Sequence, residues 1–122
     1  MTDAEVMVRD WIGAIQALDL DKTVSFYADD IISEDPAYQY RFTGRGEVKS
    51  MYVSVYALPD VKFEYTSSFV SGDGQWAAAK WIWSGTKGGE SYSIPGVSIL
   101  EIRDGKIVRE TIYYNTTAAY GD

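Results

Sequence analysis

The apolar positions in the first half of the chain recur at helical spacing, in three separate segments. The first segment begins with a capping-box pattern that opens at Thr2. A second, shorter helix is predicted over residues 20–27, with Asp21 as its N-cap. A third helix is predicted from Gly44 to near Pro59. These segments indicate a layer of three helices.

The second half of the chain has the alternation and the turn residues of strands. The predicted strands cover residues 61–70, 76–86, 92–103 and 106–116. Pro95 and Gly96 lie inside the third of these strands and indicate a bulge or a bend. One more short strand, residues 31–34, ends at Pro36. We therefore expect one short strand among the helices, followed by a four-stranded antiparallel meander.

Three helices can cover only part of one face of such a meander. If the sheet bends strongly, helices and sheet enclose an apolar interior. A chain of 122 residues suffices for one domain with one core and is too short for two of ordinary size. We expect a single α+β domain over residues 1–122, shaped as a cone-like barrel on a strongly curved, mainly antiparallel sheet.

Composition narrows the chemistry that this domain can perform. Aromatic residues make up 15% of the chain, more than a minimal core requires, so some can line a cavity. The net charge of −7 disfavours nucleic acid and anionic membranes as partners, and a neutral or cationic small molecule is easier to accommodate. The chain has no Cys and no His, so acid-base work must fall to Asp, Glu, Lys or Tyr.

Nothing in the pattern indicates a cofactor or a secretion signal. No group of carboxylates has the spacing of metal ligands, so we expect neither a metal nor another cofactor. The acidic N-terminal segment lacks the basic and apolar regions of a signal peptide, and no apolar run approaches the length of a membrane span. A cytoplasmic location is the expectation.

The segment ISEDPAYQYRFTGRG, residues 32–46, places two carboxylates at the end of the predicted short strand. A carboxylate among aromatic side chains suits general acid or base work, because desolvation disfavours its charged form. Alternation along the strand directs Asp35 to the interior and Glu34 to solvent. The alternative is an ordinary solvated turn around the Asp-Pro pair.

Alternation also separates two faces on the second strand of the meander. One face carries two small and two large side chains, which suits a cavity wall or a dimer surface: Ala77, Ala79, Trp81 and Trp83. Tyrosines on or beside the helical layer add an aromatic lining with polar tips: Tyr27, Tyr38, Tyr40 and Tyr52.

Several motifs together resemble the nuclear transport factor 2-like superfamily, and within it the SnoaL-like polyketide cyclases and the ketosteroid isomerases. They are Tyr27-Ala28-Asp29-Asp30, Glu34-Asp35-Pro36, Gly44-Arg45, Met51-Tyr52, Trp83-Ser84-Gly85 and the run VSILEIRDGKI over residues 97–107. The resemblance covers essentially the whole chain. It implies a cofactor-independent isomerase or cyclase for a mostly apolar, oxygenated substrate of polyketide or terpenoid type.

The resemblance also implies roles for individual residues. Asp35 matches the general base of the isomerases, and Tyr52 matches the tyrosine that supports their oxyanion hole. Trp11 and Ser98 stand where the isomerases have their two oxyanion donors. Because each lost donor costs about 2.7–4 kcal/mol of transition-state stabilisation, steroid-type isomerisation itself is not expected unless Trp11 or Ser98 substitutes. Many SnoaL-like chains have aspartate where this chain has Asn115.

The family register directs the inner residues of the last two strands to the concave face, with Glu110 as a second candidate acid. The catalytic candidates are Asp35 and Tyr52. The candidate substrate-binding residues are Trp11, Tyr27, Tyr38, Trp81, Trp83, Ser98, Leu100, Glu110, Ile112 and Tyr114.

Two other functions stay open. The same fold supports epoxide opening by aspartate and arginine pairs, although Arg45 after Gly44 is better explained as a structural ion pair. The fold also serves as a non-catalytic module for ligand binding or dimerisation. An exposed sheet face with Trp residues is consistent with a homodimer.

Overall fold

The computed structural model describes residues 1–115, which form three helices packed on a six-stranded sheet. The helices are α1 Asp3–Gln16, α2 Leu20–Ser25 and α3 Arg45–Tyr56. The predicted capping box is present, since Thr2 accepts a hydrogen bond from the Glu5 backbone N–H at 3.2 Å. No helix in this part of the chain has the length and apolar character needed to cross a membrane.

Helix α2 is shorter than predicted and begins with a different cap. Asp19, not Asp21, is the N-cap, because its side chain accepts from the Lys22 backbone N–H at 3.2 Å. The helix ends at Ser25, two residues before the predicted end. Tyr27 is already the first residue of a strand, so its pairing within the sheet replaces another helical turn.

The sheet has six strands, one more than the predicted short strand and four-stranded meander, because β2 was not predicted. Its strands are β1 Tyr27–Asp35, β2 Tyr40–Thr43, β3 Lys62–Val70, β4 Trp76–Lys87, β5 Glu90–Arg103 and β6 Lys106–Tyr114. Their order is β2-β1-β6-β5-β4-β3, with β1 and β6 parallel and all other neighbours antiparallel. The sheet is curved and unclosed. Strand β2 is too short to show a period, and β1 extends well beyond the predicted residues 31–34. The predicted final residue of β6, Thr116, lies outside the described residues.

Of the bulge or bend predicted at Pro95 and Gly96, the bulge is contradicted. The register between β4 and β5 is unbroken from Trp76–Glu101 to Lys87–Glu90, and the irregularity of β5 lies against β6, between Glu101 and Ile102. Gly96 instead lets the Trp81 ring lie against the backbone. A Cβ atom on Gly96 would stand only 2.3 Å from Trp81 Cη2.

The register determines which side chains meet on the concave face. Ala79 pairs with Ser98, which pairs with Ile112 on β6. Two residues further along β5, Leu100 pairs with Glu110 on β6, and Glu110 pairs with Ser33 on β1. The helices cover this face, and the strand positions predicted to point inward do so.

Candidate functional site

A cavity of about 270 Å³ lies between the helical layer and the concave face of the sheet. Its wall is predominantly apolar and draws residues from two helices and all six strands. The lining residues are Ile15, Ser33, Glu34, Asp35, Tyr40, Phe42, Met51, Tyr52, Val55, Phe63, Tyr65, Trp81, Trp83, Ser98, Glu110, Ile112 and Tyr114. None of these is basic, so every formal charge at the wall is a carboxylate.

Asp35 lies at the end of β1, on the same face as the buried Ser33. Its Oδ2 accepts a hydrogen bond of 2.6 Å from the Tyr114 hydroxyl on β6. Its Oδ1 is buried and has no hydrogen-bond partner within residues 1–115. One oxygen of this carboxylate is therefore held in place while the other remains available to a bound molecule.

Glu110 is the most deeply buried acid of the cavity, with only 1% of its surface exposed. The Tyr27 hydroxyl donates to its Oε1 at 2.9 Å. Burial raises the pKa of Glu110 to about 7, against the opposing effect of hydrogen bonds from Tyr27 and Ser98. Glu110 is thus part protonated near neutral pH.

A chain of hydrogen bonds behind the cavity holds Glu110 in position. Trp11 donates its indole N–H to the Tyr27 hydroxyl at 3.1 Å, and the hydroxyls of Tyr27 and Tyr52 are 2.6 Å apart. Because Tyr27 donates to Glu110, Tyr52 is the donor to Tyr27. Burial raises the pKa of Tyr27 and of Tyr52 well above the ordinary value, so both stay neutral.

Aromatic rings form the opposite wall. Phe63 stacks on Trp83 with ring centroids 6.2 Å apart, and meets Trp81 edge to face at 6.5 Å. Trp81 donates its indole N–H to Ser98 Oγ at 3.0 Å. Trp83 Nε1 is buried and has no partner in the described part of the chain.

Tyrosines surround the open end of the cavity. Tyr38 stacks on both Tyr40 and Tyr114, with centroid separations of 6.3 Å. Glu34, predicted to face solvent, is half-buried at the cavity wall and lies 3.8 Å from Arg109. Its side chain points away from the cavity, as predicted, because Glu34 alternates with the inward Ser33 and Asp35 and pairs with the exposed Arg109.

Arg45 is structural, as predicted. Its Nε and Nη2 donate to the Tyr27 carbonyl oxygen at 3.0 and 2.7 Å, and its Nη1 lies 3.1 Å from Asp29 Oδ1. These bonds tie the start of α3 to the start of β1. Residues 1–115 contain no group of side chains suited to hold a metal ion.

The model of the SnoaL-like domain family matches residues 8–110. The chain belongs to this family. Among solved structures, a candidate polyketide cyclase from Pseudomonas putida KT2440 is 22% identical, with a TM-score of 0.83 over 98% of this chain and 96% of its own. An NTF-2-like protein of unknown function from Burkholderia xenovorans LB400 is 26% identical, with a TM-score of 0.77 over 93% and 83%.

A third structure extends the likeness to the isomerase fold. It is a hypothetical protein with a ketosteroid isomerase-like fold from Catenulispora acidiphila DSM 44928, in complex with trimethylamine. It is 19% identical, with a TM-score of 0.78 over 92% of this chain and 87% of its own. No curated protein matches the chain. The predicted resemblance and fold are confirmed.

The cavity of this SnoaL-like domain brings together eight of the twelve predicted site residues: Asp35, Tyr52, Trp81, Trp83, Ser98, Glu110, Ile112 and Tyr114. The other four are not at its wall. Trp11, Tyr27 and Leu100 are fully buried behind it, where their side chains fill the core. Tyr38 lies at the open end and is partly exposed.

Several wall residues of the SnoaL-like domain were not predicted from the sequence: Ile15, Ser33, Glu34, Phe42, Met51, Val55, Phe63 and Tyr65. Tyr40, which was predicted to join the aromatic lining, is at the wall. The alternation of β1 signals Ser33, two positions before Asp35. Nothing in the local pattern signals Phe42, because its four-residue strand shows no period.

Proposed function

We propose that this SnoaL-like domain is a cofactor-independent isomerase or cyclase that removes a proton next to a carbonyl group. Its substrate is a small, mostly apolar, oxygenated molecule of polyketide or terpenoid type. The observation that carries the proposal is the hydrogen bonding of the Asp35 carboxylate. Its Oδ2 accepts a hydrogen bond from Tyr114, while its buried Oδ1 has no partner in residues 1–115.

Asp35 is the base in this reaction. The bond from Tyr114 fixes the carboxylate, so Oδ1 meets the substrate without the entropic cost of orienting a free side chain. Oδ1 takes a proton from the carbon beside the carbonyl, and the C–H electron pair moves onto the carbonyl oxygen to give an enolate. Isomerisation follows when Asp35 returns the proton to another carbon, and ring closure follows when the enolate carbon attacks a second carbonyl.

Glu110 is the acid that stabilises the enolate oxygen. A carboxyl group with a pKa of about 7 keeps its proton in a large share of molecules at neutral pH and can donate it to a developing oxyanion. Trp11 cannot take this role, because its N–H is engaged with Tyr27. Tyr52 acts indirectly, since its hydroxyl orients Tyr27 rather than the substrate.

The absence of arginine and lysine from the described wall favours this reaction over epoxide opening. An epoxide-opening site of aspartate and arginine pairs needs a cation beside Asp35. Arg45 binds Tyr27 and Asp29 instead, and Arg41, which pairs with Glu34 in the register of β1 and β2, does not line the cavity. The trimethylamine bound in the Catenulispora structure supports a small-molecule site in this fold.

Exchange of carbon-bound protons tests the proposal without knowledge of the natural substrate. Mono- and bicyclic ketones are incubated with the protein in D₂O, and loss of the proton beside the carbonyl is followed by NMR. The domain should accelerate exchange for at least one ketone, and Asp35→Asn should lower that rate by roughly 10²–10⁴-fold.

Asp30→Asn is the matched control, because Asp30 is an exposed aspartate on the same strand and should leave exchange unchanged. An unimpaired Asp35→Asn variant would remove Asp35 from the mechanism. If no ketone exchanges faster than in buffer, the domain is a ligand-binding module rather than an enzyme.

We also propose that the domain forms a homodimer through the convex face of its sheet. Large apolar side chains are exposed there on three strands, with Phe69 68%, Trp76 46% and Tyr113 52% accessible. Exposed large apolar side chains on one face of a sheet favour a protein-protein contact.

A further inference from the structure

Three buried polar atoms have no hydrogen-bond partner within residues 1–115: Ser33 Oγ, Asp35 Oδ1 and Trp83 Nε1. Most buried polar groups in proteins are paired, because an unpaired one carries a free-energy penalty. All three of these residues line the same cavity. A bound molecule can therefore supply the missing hydrogen-bond partners of these three atoms.

The three atoms differ in what they need. Trp83 Nε1 is a donor only, so its partner must be a hydrogen-bond acceptor. Ser33 Oγ can donate or accept, and Asp35 Oδ1 accepts or takes a proton. Ser33 and Asp35 lie on one face of β1, whereas Trp83 lies on β4, on the opposite wall beside Phe63.

Ser33 is also the register partner of Glu110. Its side chain is only 1% exposed, so its hydroxyl belongs to the buried end of the cavity together with the Glu110 carboxyl. A molecule with one oxygen at that end can reach Trp83 Nε1 only with a second oxygen. A ligand that pairs with both ends of the cavity therefore needs two separate polar groups on an apolar carbon skeleton.

The size of the cavity limits that carbon skeleton. An engineered cavity of about 150 Å³ in another protein binds benzene. The cavity here, at about 270 Å³, has nearly twice that volume and fits a skeleton of about two fused rings. A four-ring skeleton exceeds it.

Charge sets a further limit. The carboxyl groups of Asp35 and Glu110 face the cavity, and its described wall has no basic side chain. A carboxylate or phosphate on the ligand would be desolvated beside the Asp35 carboxylate without a counter-ion. Anionic ligands are therefore disfavoured.

We infer that the substrate is a compact molecule of about two-ring size, without negative charge and with two oxygens, whose non-reacting oxygen accepts a hydrogen bond from Trp83 Nε1–H. The other oxygen lies at Ser33 and Glu110. The inference rests on the proposed function in one respect: the proposed function assigns the oxygen at Ser33 and Glu110, and not the oxygen at Trp83, to the reacting carbonyl group. Trp83 is then the residue that selects the doubly oxygenated substrate.

The test compares two probes that differ in one oxygen: decalindione with one carbonyl on each ring, and decalone with a single carbonyl. Dissociation constants come from NMR titrations. The unaltered protein should bind the diketone roughly three- to tenfold more tightly than the monoketone, the value expected for one neutral hydrogen bond. Trp83→Phe keeps an aromatic ring but removes the N–H, so this ratio should fall to about one.

Trp76→Phe is the matched control, because Trp76 is exposed on the convex face and should leave the ratio unchanged. The ratio corrects for any general loss of packing in the Trp83 variant, since both probes suffer that loss. A decalin carboxylate of the same size should not bind. The inference is overturned if Trp83→Phe keeps the full ratio, if the unaltered protein shows no preference or binds neither ketone, or if the carboxylate binds as well as the diketone.

Failure of this inference is distinguishable from failure of the proposed function. Asp35→Asn should lose proton exchange yet keep the preference for the diketone, because the variant retains Trp83. Protein that shows the preference without any exchange would contradict the proposed enzyme and support the binding site. Proton exchange without a preference for the diketone would support the proposed enzyme and contradict the inferred binding site.

Discussion

Asp35 and Glu110 are two carboxyl groups in one cavity whose surroundings suit them to different tasks. Asp35 has one oxygen bound by a tyrosine at the end of β1. Glu110 lies at the buried end, where its burial raises its pKa to about 7. Different surroundings for two titratable groups are a common basis for separate acid and base roles in an active site. In the proposed reaction Asp35 is the base and Glu110 the acid.

The buried Glu110 makes the stability of the domain depend on pH. Its pKa rises from 4.5 to about 7 on folding, so between these values the folded state binds more protons than the unfolded state. The free energy of unfolding should therefore fall as pH rises through this window, by on the order of 3 kcal/mol. Glu110→Gln, which mimics the protonated form, should remove this contribution.

Urea denaturation of both proteins at pH ~5 and pH ~8 measures the effect. The variant should gain stability relative to the unaltered protein at the higher pH. Glu90→Gln, at an exposed glutamate, should follow the unaltered protein at both values. The same pH dependence in Glu110→Gln and the unaltered protein would show that Glu110 is ionised in the fold throughout.

At the scale of elements, the pairing of β4 with β5 forms the aromatic wall. The register places Gly96 opposite Trp81, and the missing side chain leaves room for the indole ring against the β5 backbone. Trp81 on β4 in turn donates its indole N–H to Ser98 Oγ on β5, two residues after Gly96. One glycine thus determines how closely the largest side chain of the wall approaches the sheet.

Gly96→Ala should destabilise the domain by about 1–3 kcal/mol, because the new methyl group would overlap the Trp81 ring unless ring or backbone moves. Urea denaturation gives the loss. Gly13→Ala is the control, since no atom lies within 4 Å of the added carbon and Gly13 is inside α1. That change should stabilise the domain by roughly 0.5–1 kcal/mol. Equal effects of the two variants would argue against close packing of Trp81 on Gly96.

At the scale of the whole molecule, the two faces of the curved sheet have different surroundings. The concave face, under the helices, forms the cavity. The convex face leaves apolar side chains of three strands in contact with solvent. A dimer through the convex face would cover these side chains without closing the cavity.

Phe69→Glu should convert the proposed dimer to a monomer, because a carboxylate in an apolar contact is desolvated without a partner. Sedimentation velocity at micromolar concentration measures the change. Val53→Glu is the control, since Val53 is an exposed apolar residue on α3, away from the convex face, and should leave the dimer intact. A monomeric unaltered protein would rule out this contact.

Much of the fold follows from local sequence pattern. The three helices, the meander of β3 to β6 and the inward faces of its strands are all visible in the spacing of apolar residues. The same spacing separates Trp81 and Trp83 from the outward Trp76. Asp35 was selected through the family resemblance, and its inward direction follows from the alternation of β1. These features depend on neighbours close in the chain.

Other features depend on residues that are far apart in the chain, and only the tertiary structure decided them. The parallel pairing of β1 with β6 brings Ser33 beside Glu110 and Tyr114 to Asp35. It also brings Arg109 to 3.8 Å from Glu34 on the other face of the sheet. The surroundings of a carboxyl group determine its pKa, so the raised pKa of Glu110, a candidate acid from the sequence, depends on the placement of β1, β6 and α3. Sequence period determines which way a side chain points, and long-range pairing determines what it meets.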